Sequence, residues 1–185
     1  MKILIAYFSA EKNRTASVAL SLKEFLADRA TDSKATDNKA TNSKADVVAD
    51  VAADVNVVDV AVFEIVPEKP YTPADLRWVN PLARCNREKF TGKDVPVSGT
   101  VPNWEQYDIV FLGFPIWYGC APNVVNTFCK AYDWSGKKVY SFATSGGSGI
   151  GKTAEKLKPY LKGALSVEAR LTQTASELKS WAKDK

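Results

Sequence analysis

Three polar or glycine-rich segments each follow an apolar run of strand length in this sequence. They are SAEKNRT (residues 9–15), PIWYGCAP (115–122) and SGGSGIG (145–151). The first offers hydroxyls, an amide and N–H groups at the start of a predicted helix, whose dipole favours an anion. The second places Trp117 and Tyr118 where a loop is normally polar, so their flat rings could stack on a planar ligand. The third could wrap a ligand edge with main-chain N–H groups. Together they predict a ligand that carries a phosphate and a planar ring.

The composition excludes several kinds of site. The sequence contains no histidine, which removes a Ser-His-Asp triad and any histidine-ligated metal centre. Its three cysteines lack Cys-x-x-Cys spacing, so free thiols are expected rather than disulfides or structural zinc. The net charge of +4 is spread along the chain and does not indicate nucleic-acid binding. No run approaches the roughly 18 apolar residues that span a bilayer, so a cytoplasmic protein without a membrane partner is expected.

A framework of alternating strands and helices must position these segments. Apolar runs predict five strands, at residues 2–8, 57–66, 107–114, 138–144 and 164–169. Helical spacing predicts a helix capped by Asn13 or Thr15, and further helices over 123–132, 150–161 and 175–183. This alternation predicts a parallel sheet with helices on both faces. Ligands of such sheets bind beyond the carboxyl ends of the strands, where the three segments lie.

Two segments interrupt this pattern. Residues 30 to about 45 repeat ATDSK, ATDNK and ATNSK, which predicts a solvated low-complexity insertion or, as the alternative, a partner-binding tail. Residues 67 to about 105 are rich in proline; two short helical turns are expected, at Pro73 and at Pro81. A connection this long is usually functional, so it is expected to fold over a site. Two interpretations remain open for four of its side chains, which could be exposed and salt-bridged or could gate the entry of substrate: Tyr71, Arg77, Arg84 and Arg87.

The sequence resembles the flavodoxin-like family, and closely its longer flavodoxin-related subgroup. The matching text is KILIAYFSA, FEIVPEKPYTPADLRWVNPLARCNREK, YDIVFLGFPIWYGCAPNVVNTF and TSGGSGIG. It covers nearly all of the chain except the repeat from Ala30. The resemblance implies one doubly wound α/β domain over residues 1–185, with a five-stranded parallel sheet in the order 2-1-3-4-5 between two helical layers. It also implies FMN as cofactor and electron transfer through the flavin ring.

The resemblance further implies a role for each of the three segments. The 5′-phosphate would be held by Ser9, Ala10, Lys12, Asn13, Arg14 and Thr15. The ring would be flanked by Pro115, Ile116, Trp117, Tyr118 and Gly119, and its other edge lined by Thr144, Ser145, Gly146, Gly147 and Gly149. For the aromatic pair the alternative is a hydrophobic lid or a homodimer patch. For the glycine-rich loop it is a plain turn, and Cys120 is expected to be a buried, inert thiol.

The phosphate segment departs from the family pattern Ser-x-Thr-Gly-Asn-Thr. Glu11, Lys12 and Arg14 replace the first threonine, the glycine and the second threonine. A carboxylate about 4 Å from a phosphate charge costs on the order of 4 kcal/mol at an effective dielectric constant near 20. Lys12 and Arg14 could offset that cost, and Thr15 could supply a hydroxyl. Lys12 would add about 1–2 kcal/mol if its backbone were left-handed.

These observations support three hypotheses of function. The leading one is an FMN-dependent oxidoreductase that uses a nicotinamide nucleotide to reduce a quinone-like or other small acceptor. The second is a non-catalytic electron carrier that docks to protein partners. Such carriers are typically acidic, whereas this chain carries +4. The third is a flavodoxin-fold module that has lost FMN because of Glu11, Lys12 and Arg14.

Overall fold

The computed structural model describes residues 1–10, 13–37 and 59–185 of the chain. The central sheet has five strands: β1 (Lys2–Tyr7), β2 (Asp59–Glu64), β3 (Ile109–Pro115), β4 (Lys138–Thr144) and β5 (Ser166–Leu171). Their order is β2-β1-β3-β4-β5, and every neighbouring pair is parallel. The predicted order 2-1-3-4-5 is therefore confirmed.

Helices cover both faces of the sheet. They are α1 (Arg14–Asp37), α3 (Asn123–Lys130), α4 (Thr153–Leu157) and α5 (Ala175–Ala182). A further helix, α2 (Arg84–Thr91), lies in the proline-rich segment between β2 and β3. One core cluster joins α1 and α5 to alternate sheet residues such as Ile5 and Phe111. The other joins α3 and α4 to intervening residues such as Leu4 and Val110. Because β1, β3 and β4 are buried on both faces, their sequences are nearly continuous apolar runs.

On the face of the sheet that α1 and α5 cover, the core packs closely at a glycine in β3. An ideal Cβ at Gly113 would lie 2.2 Å from the Phe142 ring of the adjacent strand β4. The Phe142 side chain is fully buried. Glycine at position 113 therefore provides the space in which the Phe142 ring packs over β3.

Helix α1 is longer than the sequence predicts. It continues through Asp37, so the first residues of the repeat are helical, although an irregular segment is expected from Ala30. The alanines and lysines of the repeat are good helix formers, and extending a nucleated helix costs little. The rest of the repeat, and the start of the second predicted strand at Val57, lie outside the described residues.

Residues 67–105, called the overhang below, are more ordered than the sequence indicates. A short antiparallel pair, Val66–Pro67 with Val97–Ser98, closes the base of this segment. The predicted turn at Pro73 is present, and the hydroxyl of Thr72 accepts from the Asp75 N–H at 3.2 Å. The predicted turn at Pro81 is present as well: the Ala83 N–H donates to the Asn80 carbonyl at 2.9 Å, and the Leu82 N–H donates to Asn80 Oδ1 at 3.0 Å. A helix that the sequence did not predict follows from Arg84. Among the described residues, no helix is long and apolar enough to cross a membrane.

Candidate functional site

A cleft of about 730 Å³ opens at the carboxyl edge of the sheet. This volume lies within the usual range for small-molecule sites. The loops after β1, β3 and β4 form its floor and sides, and the overhang covers part of it. Its lining comprises Ser9, Ala10, Arg14, Thr15, Leu76, Trp78, Cys85, Pro115, Ile116, Trp117, Tyr118, Thr144, Ser145, Gly146, Gly147 and Ser148.

Most of the residues predicted from the three segments therefore meet around one cleft. Asn13, Gly119 and Gly149 belong to the same loops but do not line it. Glu11 and Lys12 lie outside the described residues.

Sequence reasoning did not identify Leu76, Trp78 or Cys85. It predicted that the overhang folds over a site, but it selected the segment's tyrosine and arginines. The available signal was the pair of large apolar residues Leu76 and Trp78 in a segment expected to be a loop.

The start of α1 forms one end of the cleft. Asn13 has a left-handed backbone (φ 46°), and its N–H donates to the carbonyl of Ala10 at 2.9 Å. Asparagine is among the non-glycine residues that adopt this conformation most readily. The Ser9 hydroxyl accepts from the Ala16 N–H at 3.2 Å, which leaves its own hydrogen free to donate. This end therefore offers a hydroxyl donor beside the unpaired N–H groups of a helix N-terminus.

Arg14 links the first segment to the third. Its Nη1 donates to the carbonyl of Ser145 at 2.8 Å, and the remaining guanidinium N–H groups keep their capacity to donate. The hydroxyls of Thr15 and Thr144 bond to each other across the same seam at 2.8 Å. The replacement at position 14 thus supplies a positive charge and a cross-link at the end of the cleft where the sequence predicts a phosphate.

The glycine-rich loop is folded back on itself. The Ser145 hydroxyl bonds to that of Ser148 at 2.8 Å and accepts from the Gly147 N–H at 3.1 Å. Gln173 holds the start of the loop by accepting from the Ser145 N–H at 3.3 Å. The loop is therefore a closed turn that also lines the cleft.

A tight turn carries the aromatic pair into the other end of the cleft. Trp117 and Cys120 exchange two backbone hydrogen bonds, at 3.0 and 3.1 Å. The two central residues, Tyr118 and Gly119, both have positive φ angles, 52° and 71°. This is the geometry of a type I′ turn, which favours glycine and asparagine. A left-handed tyrosine costs roughly 1–2 kcal/mol, and such strain is often found at functional sites.

Contacts from α2 hold the Tyr118 ring. Its hydroxyl donates to Oδ1 of the buried Asn86 and lies 3.6 Å from the Cys85 sulfur. The Phe90 ring lies 6.4 Å from the Tyr118 ring between centroids. Partial burial raises the pKa of Tyr118, and the neighbouring Cys85 thiol raises it further. The phenol therefore remains protonated at neutral pH and acts as a hydrogen-bond donor.

Trp117 is braced from behind by other aromatic rings. It packs edge-on against Phe8 and Tyr71, with centroid distances of 5.6 and 5.3 Å. The Tyr71 hydroxyl donates to Glu88 at 2.5 Å, and the Arg84 guanidinium lies 4.3 Å from the Tyr71 ring centroid. Tyr71 and Arg84 are thus packed supports of the cleft wall rather than exposed side chains.

Cys120 is buried, as expected, but it has a charged neighbour. Lys89 Nζ donates to the Cys120 sulfur at 2.6 Å. This contact is a further link between α2 and the aromatic turn.

Comparison with known proteins assigns the chain to a family. A family model described as Flavodoxin matches residues 38–185. The chain belongs to the flavodoxin family. A structure from Bacteroides eggerthii, provisionally assigned as a flavoprotein, shares 31% identity over 99% of this chain and 96% of that chain, with a TM-score of 0.74. A similarly assigned structure from Bacteroides uniformis shares 30% identity over 98% and 97%, also with a TM-score of 0.74.

A more distant structure shares the flavodoxin fold. It is a flavoprotein from Lactobacillus acidophilus in complex with FMN, with 17% identity over 98% of each chain and a TM-score of 0.58. At that identity the likeness supports the fold alone. No curated protein matches the sequence.

The cleft of this flavodoxin-family protein fits FMN, the cofactor predicted from its sequence. One end combines hydroxyls, the Arg14 charge and a helix N-terminus, which suit a phosphate. The other end combines Trp117, Tyr118 and the apolar side chains of the overhang, which suit a flat ring. The family model matches from residue 38 onward, so the altered phosphate turn lies outside the matched range.

Proposed function

We propose that this flavodoxin-family protein is an FMN-dependent oxidoreductase that uses a nicotinamide nucleotide to reduce a quinone-like or other small acceptor. One observation carries the proposal: Leu76 and Trp78 of the overhang line the same cleft as the aromatic turn and the phosphate-binding end. An electron carrier that docks to protein partners needs an edge of the flavin ring that is exposed to the partner. A partly roofed, apolar cleft instead suits a small flat acceptor that enters beside the ring.

In this proposal each part of the cleft has a separate task. Ser9, Arg14 and the first N–H groups of α1 hold the phosphate. Tyr118, whose hydroxyl donates to Asn86, positions the flavin ring. The Tyr118 phenol stays protonated at neutral pH. FMN, when bound, supplies the acceptance and return of electrons. Leu76 and Trp78 limit access of water to the reacting face.

The first test is an FMN titration of the purified protein followed by visible absorbance. The proposal expects saturable binding with a Kd below about 1 µM, equivalent to roughly −8 kcal/mol. A colourless protein with no spectral change would instead favour the module that has lost FMN. That alternative is motivated by Glu11, Lys12 and Arg14.

The second test is steady-state turnover of the FMN-loaded protein, with NADH and NADPH against a panel of quinones. With FMN at saturation, the Trp78→Ala variant should raise the KM for the acceptor several-fold. Phe90→Ala is the matched control, because Phe90 is an exposed aromatic of the overhang that does not line the cleft. Tight FMN binding with no turnover for any pair would refute the enzyme and favour the electron carrier.

A further inference from the structure

The overhang exposes four large apolar side chains. Their exposed fractions are 72% for Trp78, 66% for Val79, 76% for Leu82 and 79% for Phe90. We call these four residues the apolar ridge. Isolated exposed apolar side chains are common, but several concentrated in one segment usually mark an interaction surface. The feature requires an explanation that the cleft does not give, since only Trp78 among the four also lines it.

The backbone beneath the apolar ridge is fixed rather than loosely attached. Asn86 is 3% exposed, and its Nδ2 donates to the carbonyls of Trp78 and Asn80 at 2.8 and 2.7 Å. The same side chain accepts from the Tyr118 hydroxyl through Oδ1. One buried amide therefore holds the apolar ridge and connects it to the aromatic wall of the cleft. A ridge held in this way is pre-organised for contact with a partner.

The net charge next to the apolar ridge is positive. Arg77 and Arg87 are exposed, and within the described residues neither guanidinium has an acidic partner. Asp75 remains a carboxylate, because its hydrogen bonds come from the neutral N–H and hydroxyl of Thr72, and it offsets one of the two charges. Glu88 is paired with Arg84 at 2.5 Å. The net charge beside the ridge is therefore cationic, which complements an anionic surface.

We infer that the apolar ridge inserts into the surface of an anionic lipid layer, with Arg77 and Arg87 against the headgroups. Amphipathic surface elements with large apolar residues and flanking basic residues bind membranes in this way. A second copy of the chain fits less well, because a two-fold contact would bring like arginines together. An acidic protein shares the charge complementarity, but side chains exposed by two thirds or more suit insertion better than a flat interface.

This inference differs from the expectation of no membrane partner. That expectation rested on the lack of a membrane-spanning run, and the exposure of side chains was not available from the sequence. Because Trp78 belongs both to the apolar ridge and to the cleft lining, insertion would place the mouth of the cleft beside the lipid. A lipophilic acceptor could then enter from the lipid, a consequence that rests on the proposed function.

The test is co-sedimentation of the full-length, FMN-supplemented protein with lipid vesicles. We expect binding to vesicles of phosphatidylcholine containing phosphatidylglycerol, and little binding to phosphatidylcholine alone. Salt should weaken the binding, because part of it is electrostatic. The fluorescence of Trp78, isolated by comparison with Trp78→Ser, should shift to shorter wavelength on binding. These measurements need no turnover, so their outcome is separate from that of the proposed oxidoreductase activity.

Variants on the apolar ridge and beside it make the test specific. Trp78→Ser/Phe90→Ser should lower the partition constant at least about tenfold, and Arg77→Gln/Arg87→Gln should lower it about fivefold for each arginine. The matched control is Leu165→Ser, since Leu165 is 69% exposed but lies just before β5. Because all these side chains are exposed, the variants should fold normally, with unchanged melting temperatures.

Three outcomes would overturn the inference. The first is absence of binding to anionic vesicles at low salt, which would leave an acidic protein as the better candidate. The second is binding that Leu165→Ser weakens as much as the ridge variants do. The third is a stable dimer in solution, detected by light scattering, that Trp78→Ser/Phe90→Ser converts to a monomer.

Discussion

Among single residues, Arg14 most changes the interpretation of the phosphate turn. The sequence shows it as a departure from the family pattern, in which a threonine hydroxyl is lost. In the structure its guanidinium binds the Ser145 carbonyl and lines the end of the cleft where the sequence predicts a phosphate. We therefore interpret the replacement as an exchange of a neutral donor for a charged one.

This interpretation predicts that Arg14→Thr weakens FMN binding about tenfold, although the change moves the sequence toward the family pattern. A hydrogen bond from a charged group contributes about 1.5–3 kcal/mol. The measurement is the FMN Kd from quenching of flavin fluorescence. Arg29→Thr is the matched control, because Arg29 also lies on α1 and donates to a main-chain carbonyl, that of Lys183. Unchanged or tighter binding in Arg14→Thr would show that the replacement is harmful.

Tyr118 shows why the sequence could not supply the whole site. The aromatic pair and the glycine beside it are visible in the sequence. Tyr118 also adopts the left-handed conformation. Its hydroxyl donates to Asn86, 32 residues earlier in the chain, and this contact supports the strained backbone. Contacts between residues so distant in sequence have no local signature. The sequence therefore predicted a loop with an aromatic pair, but not its tight turn, the strain at Tyr118 or the support from Asn86.

At the level of elements, the strands and the turns of the overhang were predictable, whereas helix α2 was not. Each strand that is buried on both faces is a nearly continuous apolar run, and such a run can be recognised in the sequence alone. Helix α2, in contrast, buries Cys85 and Asn86 and is fixed mainly by polar contacts. Asn123, for example, donates to the carbonyl of Glu88 at 2.6 Å. A helix without an apolar stripe lacks the period on which sequence prediction relies.

The close packing of β3 against β4 predicts a large effect of one methyl group. Gly113→Ala should destabilise the protein by about 1–3 kcal/mol or more, because its Cβ would overlap the Phe142 ring. Gly146→Ala is the control, since a Cβ there meets no atom within 4 Å. The measurement is the free energy of unfolding from urea titration. Equal stability of the two variants would mean that the Phe142 ring can move aside without cost.

At the scale of the whole molecule, the two edges of the sheet have different tasks. The cleft occupies the carboxyl edge. Near the other edge, Lys137 is 5% exposed and donates to the carbonyls of Trp104 and Tyr107 at 3.1 and 2.6 Å. Its ammonium also lies 5.0 Å from the Trp104 ring centroid. Stability and ligand binding should therefore respond to changes at separate ends of the sheet.

Lys137→Met tests this separation. The variant removes the ammonium donor from two carbonyls, of which that of Trp104 still accepts from the Tyr107 N–H at 3.3 Å. It should lose about 2 kcal/mol of stability, while the FMN Kd stays unchanged. Burial lowers the pKa of Lys137 below its ordinary value of 10.5. Between the lowered pKa and 10.5 the unfolded chain binds more protons than the folded one, so the stability of the natural protein rises with pH. The difference in the free energy of unfolding between the natural protein and Lys137→Met should therefore widen across that pH window in urea titrations.

The control is Lys138→Met, at the exposed neighbouring position, which should show neither effect. A changed FMN Kd in Lys137→Met would mean that the two edges of the sheet are coupled.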